Sequence, residues 1–311
     1  MISRRNIRVK VMQELYALQS REVDGVQEKA NPVEALKKSL DLTTDLFVYL
    51  LYFITEVARY AEKDAKLRAS RNLPSFADKN VNTRIAGNEL LWRILENESF
   101  KKEIAGKTIA FEDTEDMTRK IYLDLASSEN YKHYILAESR DKKAEKDIIV
   151  FIFTNLMLPN ESFVQHIEEH FANWDDDAEM IDQLMMSYLQ RPGSYNLQQM
   201  VGEEKWKFAK DLLVTAFNKR AYTLELIKPK LKNWDSDRIA ALDMILMQMG
   251  VCEFLYFETI PPKVTINEYI DIAKEYSTQQ SGQFINGILD SIHKDLVAEN
   301  KIHKIDFKQK A

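Results

Sequence analysis

Cysteine, glycine and proline are all scarce in this sequence. Cys252 is the one cysteine in 311 residues, so no intrachain disulfide and no multi-cysteine zinc site can form. A lone thiol fits a reducing compartment, and a cytoplasmic location is expected. Eight glycines and seven prolines supply few turn-makers, which argues against a fold of many short strands. Long apolar runs are also missing. The longest, residues 46–54, has nine residues, against the roughly 20 that cross a bilayer. It reads as buried core, and no membrane association is expected. The N-terminus is basic but no apolar stretch follows it, so it does not read as a secretory signal.

Net positive charge is lacking as well, since 43 Lys and Arg face 49 Asp and Glu, a balance of −6. That would count against a nucleic-acid binder, but the charge is uneven. Residues 1–10 hold Arg4, Arg5, Arg8 and Lys10 and no acid. Residues 144–206 hold twelve acids and three bases, and residues 207–311 hold 14 acids and 15 bases. A local basic patch matters more for phosphate contact than the sum does. By the same argument the acidity of the stretch between the two ends, residues 30–200, argues against RNA contact there.

What is abundant is helix-forming: Leu, Glu, Lys, Ala, Met and Gln dominate long stretches. An all-α fold is predicted. Residues 3–20 form an amphipathic helix with Ser3 as N-cap. Ile7, Val11, Leu15 and Leu18 share one face, and Arg4 and Arg8 share another. Helices are also predicted over 33–68, 84–97, 121–136, 141–157, 162–171, 178–190, 203–230 and 236–257. Residues 70–83 read as loop. Thr265-Ile266-Asn267-Glu268 matches a capping box, opening a helix that runs through Tyr276. A turn over 278–282 precedes the last helix, 283–297. The sharpest break is Arg191-Pro192-Gly193-Ser194. Lys146-Asp147-Ile148-Ile149-Val150 is echoed by Lys210-Asp211-Leu212-Leu213-Val214, and Asn173-Trp174-Asp175 by Asn233-Trp234-Asp235. Residues 144–190 thus read either as a diverged duplicate of 208–257 or as a chance likeness of two helical hairpins.

Two stretches, one at each end of the chain, carry the most distinctive motifs. The first carries Arg4, Arg5 and Arg8 and runs into Gln13-Glu14-Leu15-Tyr16. The second holds 234–238 and 243–253, then Val264-Thr265-Ile266-Asn267-Glu268, Ala273-Lys274 and Ser281-Gly282-Gln283-Phe284-Ile285-Asn286-Gly287-Ile288-Leu289-Asp290. Together they resemble the NusB family of transcription antitermination factors, over about residues 1–24 and 203–297. The resemblance implies a NusB-like double helical bundle, here formed by 1–29 and 201–300, extended by a helical insertion over 30–200 and a basic tail over 301–311. It implies binding of boxA-type single-stranded RNA from ribosomal RNA operons, jointly with the ribosomal protein NusE, within the RNA polymerase antitermination complex. The RNA-binding residues would be Arg4, Arg5, Arg8, Tyr16, Gln280, Gln283 and Phe284. Asp243 and Glu253 would face the protein partner. Gln280 stands where the family often has an acid, and Gln283 where it often has a base. Guanidinium groups suit phosphates, and aromatic rings suit unstacked bases. The plainer roles are solvated surface for the arginines, core for Phe284 and Ile288, and close helix packing at Gly287.

No enzyme, cofactor, metal or small-molecule substrate is expected. His166-Ile167-Glu168-Glu169-His170 fits a short zinc-peptidase pattern, but the pattern is common by chance and no third ligand is evident. A NusB-like domain also precedes some RNA methyltransferases, yet no Gly-rich cofactor loop is present and Cys252 falls in an apolar helix. The alternative function is a protein-interaction scaffold with the same fold and little or no RNA binding.

Overall fold

The computed structural model describes residues 2–23, 31–105, 114–231, 239–278 and 280–305. Among them are fifteen α-helices, a few 3-10 turns and one π-helical turn, with no strand. The all-α expectation holds. The chain divides into two compact units, Asp41–Met200 and Ile2–Leu40 with Val201–Ala311.

Helix α1 is Arg4–Val23. Ser3 caps it as expected. Its Oγ accepts the Asn6 N–H at 3.1 Å, and the Asn6 side chain accepts the Ser3 N–H at 2.9 Å, a reciprocal cap. Helix α2, Pro32–Ala69, starts with Pro32 where its missing N–H costs nothing. Asn31 Oδ1 accepts the Val33 N–H at 3.1 Å.

In the Asp41–Met200 unit, residues 46–54 of α2 are buried as predicted, apart from half-buried Tyr52. Phe47 packs edge-on to Tyr188 at 5.5 Å, and Phe53 lies 4.7 Å from Phe163. Such ring pairs add about 0.5–1.5 kcal/mol beyond burial. The stretch 70–83 is not all loop. It holds α3, Phe76–Lys79, whose capping box is Ser75 with Asp78. A 3-10 turn, Arg84–Gly87, leads into α4, Glu89–Leu95, and then α5, Glu98–Ala105. The helix expected over 121–136 is two, α6, Glu115–Ser127, and α7, Glu129–Leu136. Ser128 ends the first and caps the second, accepting the Tyr131 N–H at 3.2 Å. Helix α8, Lys142–Phe151, continues as a π-helical turn, Ile152–Met157. The chain then bends by 84° into α9, Glu161–His170. Helix α10, Trp174–Gln190, begins four residues earlier than predicted. Asp177, buried in its first turn, accepts from Thr43 and Asn173, both at 2.7 Å. Asp175, Asp176 and Asp177 also suit a helix N-terminus electrostatically.

The other unit adds α11, Glu203–Asn218, and α12, Arg220–Ile227, broken at Lys219 where one helix was expected. Then come α13, Ala241–Tyr256, α14, Pro262–Tyr276, and α15, Ser281–Ala298. Helix α13 is the centre of this unit. It packs against α1, α11, α12, α14 and α15, and residues 245–254 are all buried. Gly250 makes this possible, because a Cβ there would stand 2.9 Å from the Leu289 methyls. The close approach expected at Gly287 is not found, since nothing lies within 4 Å of a Cβ there. The capping box at Thr265 does not form. Helix α14 starts three residues earlier, at Pro262, and Thr265 is fully buried. Residues 232–238, with the second Asn-Trp-Asp triplet, lie outside the described residues. No single helix among the described residues is long and apolar enough to cross a membrane.

Candidate nucleic-acid interface

Helix α1 is enclosed along much of its first half. Residues 6–12 are buried all round, because α11, α13 and α14 surround it. The arginines therefore have different fates. Arg4 and Arg5 are half-exposed, with side chains 41% and 34% open. Arg4 reaches Glu204 at 2.5 Å and lies over the Phe208 ring, 5.5 Å from its centroid. Arg5 reaches Glu275 at 2.8 Å and Asp271 at 3.5 Å. Burial alone would lower its pKa, but the hydrogen bond and charge of Glu275 outweigh this and leave it raised.

Arg8 is not on this surface. Its side chain is 3% exposed and that of Glu253 is 0%. The two meet bidentately, Nε to Oε1 at 2.7 Å and Nη2 to Oε2 at 3.1 Å. Arg8 Nη1 adds Glu268 at 3.3 Å. Glu253 also accepts from the hydroxyls of Thr265 at 2.9 Å and Tyr269 at 2.8 Å. This is why Thr265 does not cap α14. Burial acts to lower the Arg8 pKa, and Glu253 more than reverses it. Burial and Glu253 together hold the Tyr269 hydroxyl neutral, far above its usual pKa. The expectations for Arg8 as an RNA contact and Glu253 as a partner contact are thus corrected: both face inward and saturate each other. Asp243 is corrected likewise. It is buried at the start of α13 and accepts from Ser281 Oγ at 2.8 Å.

That bond fixes the turn between α14 and α15. Ser281 Oγ is also within 2.8 Å of Thr278 Oγ1 and 3.1 Å of Ser277 Oγ. The turn presents Gln280 and Gln283 to solvent, while Phe284 is half-buried and Ile288 buried. Arg5 meets α14 at Glu275, in its last turn before Gln280, so the structure brings Arg5 and this turn to one end of the unit. Tyr16 is exposed, but eleven residues along α1 place it about 16 Å from Arg5. It is separate from the cluster. Lys274 and Lys205 were missed. The Lys274 stem lies against Gly282, with Cγ 3.0 Å from where a Cβ would stand, and its amine is exposed. Lys205 donates to the Ile2 carbonyl at 2.7 Å, and burial with Arg4 nearby lowers its pKa. The pair Ala273-Lys274 was legible in sequence, but its place beside the turn depends on Gly282.

The two histidines of the pattern differ, His166 half-buried and His170 exposed, and each is hydrogen-bonded. His166 Nε2 is 2.5 Å from the Tyr49 hydroxyl, and His170 Nδ1 is 2.8 Å from the His166 carbonyl. Among the described residues no group of three or more His, Cys, Asp or Glu is placed to hold a metal. Cys252 is fully buried, and burial raises its thiol pKa to about 12, so it is a poor nucleophile.

The two half-exposed arginines beside the polar helix turn form the candidate interface of this all-helical unit. The comparisons make this specific. A family model described as the NusB family matches residues 159–294. The transcription antitermination protein NusB of Finegoldia magna is 35% identical over 134 residues, which cover 43% of this chain and 90% of that protein. This chain belongs to the NusB family. The NusB protein of Methylacidiphilum infernorum is 52% identical over 71 residues, covering 23% of this chain and 50% of its own. That of Salinibacter ruber is 46% identical over 80 residues, covering 26% and 50%. The chain thus spans about half the length of these last two relatives. No solved structure matches.

Proposed function

We propose that this protein is a transcription antitermination factor that binds boxA-type single-stranded RNA together with the ribosomal protein NusE, within the RNA polymerase antitermination complex. It acts by binding, not catalysis, and works in the cytoplasm. The observation that carries the reading is the docking of the α1 start against the last turn of α14, which puts Arg4 and Arg5 at the same end as Gln280 and Gln283. Lys274 adds a cation there. Guanidinium groups hold phosphates, and the glutamine amides offer donors and acceptors to base edges. The names of the relatives support the same reading.

One observation favours a second reading, a scaffold with weak RNA affinity. Arg4 and Arg5 already face Glu204, Asp271 and Glu275, so phosphate has to displace carboxylate. Changing Arg4→Ala and Arg5→Ala together separates the two. The variant leaves the Arg8–Glu253 pair intact. Loss of boxA RNA affinity, with a salt slope lower by about 1.4 for two lost single-strand phosphate contacts, supports the antitermination reading. Equal affinity of variant and parent, measured by anisotropy with and without NusE, supports the scaffold.

A further inference from the structure

We propose that residues 66–84 form a second contact for single-stranded RNA, with Phe76 as a stacking platform and Lys66, Arg71 and Lys79 as phosphate contacts. The proposal rests on the RNA-binding reading above and adds a contact within the Asp41–Met200 unit.

The charge of the middle of the chain is not evenly acidic. Residues 66–84 contain five basic residues, Lys66, Arg68, Arg71, Lys79 and Arg84, and one acid, Asp78. That is +4, the same balance as residues 1–10. The expectation that acidity keeps RNA away applies to 144–206 and not to this stretch. The two basic stretches also differ in how their charge is met. At the α1 end, Arg4, Arg5 and Arg8 each face a carboxylate. Here Lys66 and Lys79 are exposed and make no ion pair with a described residue. Arg71 meets Asp78 at 2.9 Å yet keeps 60% of its side chain open. Phosphate has less to displace.

The apolar side chains point the same way. Leu73 is 94% exposed and Phe76 84%, values far from those of residues that serve the core. No described ring stacks on Phe76. The backbone beneath them is nevertheless tied down. Ser75 Oγ accepts the Asp78 N–H at 3.1 Å, and Asp78 Oδ2 accepts the Ser75 N–H at 3.1 Å and its hydroxyl at 2.8 Å. Asn80 Nδ2 donates to the Phe76 carbonyl at 2.8 Å. An exposed ring on a fixed turn within a basic stretch loses little conformational freedom when a base stacks on it, and it suits any base. Leu73 then covers the edge of the stacked base. Apolar side chains amid cations also suit a protein pocket with an acidic rim. The excess of unpaired positive charge favours a polyanion.

The test uses the intact protein and two RNAs: one limited to the boxA element, and one carrying it between unstructured flanks. The variant Lys66→Gln, Phe76→Ala, Lys79→Gln alters only exposed side chains outside the helix caps. The expected result is affinity on the order of tenfold lower for the flanked RNA, from the lost stacking, with the short RNA unchanged. Phe76→Trp should show fluorescence quenching on adding the flanked RNA. Unchanged affinity for the flanked RNA overturns the proposal and leaves the apolar tip to a protein partner. Equal weakening on both RNAs also overturns it, because the contact is then not a separate one. If the parent binds the short RNA through Arg4 and Arg5 while the triple variant behaves as parent on both, only this proposal falls. If the parent binds neither RNA, both readings fall.

Discussion

Among the described residues each unit encloses one glutamate, and the two are held in different ways. Glu253 in α13 takes a bidentate guanidinium and two hydroxyls, all from side chains of α1 and α14. Glu145 in α8 takes the Glu89 N–H at the start of α4 at 2.7 Å and the Tyr134 hydroxyl at 2.9 Å. Its arginine, Arg140, stands off at 3.4 Å and is 39% exposed. The first is an ion pair desolvated on both sides. The second is a helix cap in which backbone dipoles carry much of the compensation. Arginines near Glu145 serve carbonyls: Arg84 donates to Ala137 and Ser139, and Arg140 to Gly87. The difference teaches that a buried carboxylate needs a full counter-charge only where no helix end points at it.

The sharpest way to break this comparison is to remove the cation from each. Arg8→Met leaves Glu253 buried without its cation, and should cost about 3–5 kcal/mol. Arg140→Met removes a distant, part-exposed partner, and should cost about 1 kcal/mol or less. Urea unfolding curves read both, and equal losses would show that the two glutamates are held alike. A smaller effect separates two glycines of the same unit. Gly250→Ala drives a methyl into Leu289 and should cost about 1–3 kcal/mol. Gly287→Ala meets nothing and should stabilise by up to about 1 kcal/mol, since alanine is the better helix former. A destabilised Gly287 variant would mean that α15 packs more closely than described.

The smallest effect concerns Lys304, whose amine donates to the Glu253 and Phe257 carbonyls, both at 2.7 Å. Burial lowers its pKa to about 8, below the value it regains on unfolding. Between these pH values the unfolded chain binds more protons, so stability should rise with pH there. Lys304→Met should flatten that rise. A slope unchanged in the variant would assign it to other groups. The Glu145 cluster has no lysine in this role and offers a control.

How much of this was legible depends on how local the cause is. The start of α1 at Ser3, the buried stretch 46–54 and the break after Gln190 follow from neighbouring residues, and were read correctly. Thr265 was misread because a capping-box spacing looks the same whether its hydroxyl meets its own helix or a glutamate twelve residues back. Arg8 was misread for a related reason. Its spacing from Arg4 predicts a shared exposed face, but α1 is enclosed on every side over residues 6–12, and no sequence window reveals that. Of the candidate site, Arg4, Arg5, Gln280 and Gln283, named through the family resemblance, do reach the surface. Asp243 turned inward because Ser281, across the fold, needed an acceptor. The basic stretch 66–84 was hidden by averaging its charge with the acidic residues that follow much later.

The Arg8–Glu253 pair also sets a schedule. Its partners are 245 residues apart, so at roughly 5–20 residues per second a ribosome makes the carboxylate about 12–49 s after the guanidinium. The Asp41–Met200 unit is contiguous in the chain and is complete within that interval. Helix α1 emerges before that unit and gains its cover from α13 and α14 only after it, with Ile7, Val11 and Arg8 waiting uncovered. The nascent chain must keep this helix from the wrong partner until α13 and α14 are made.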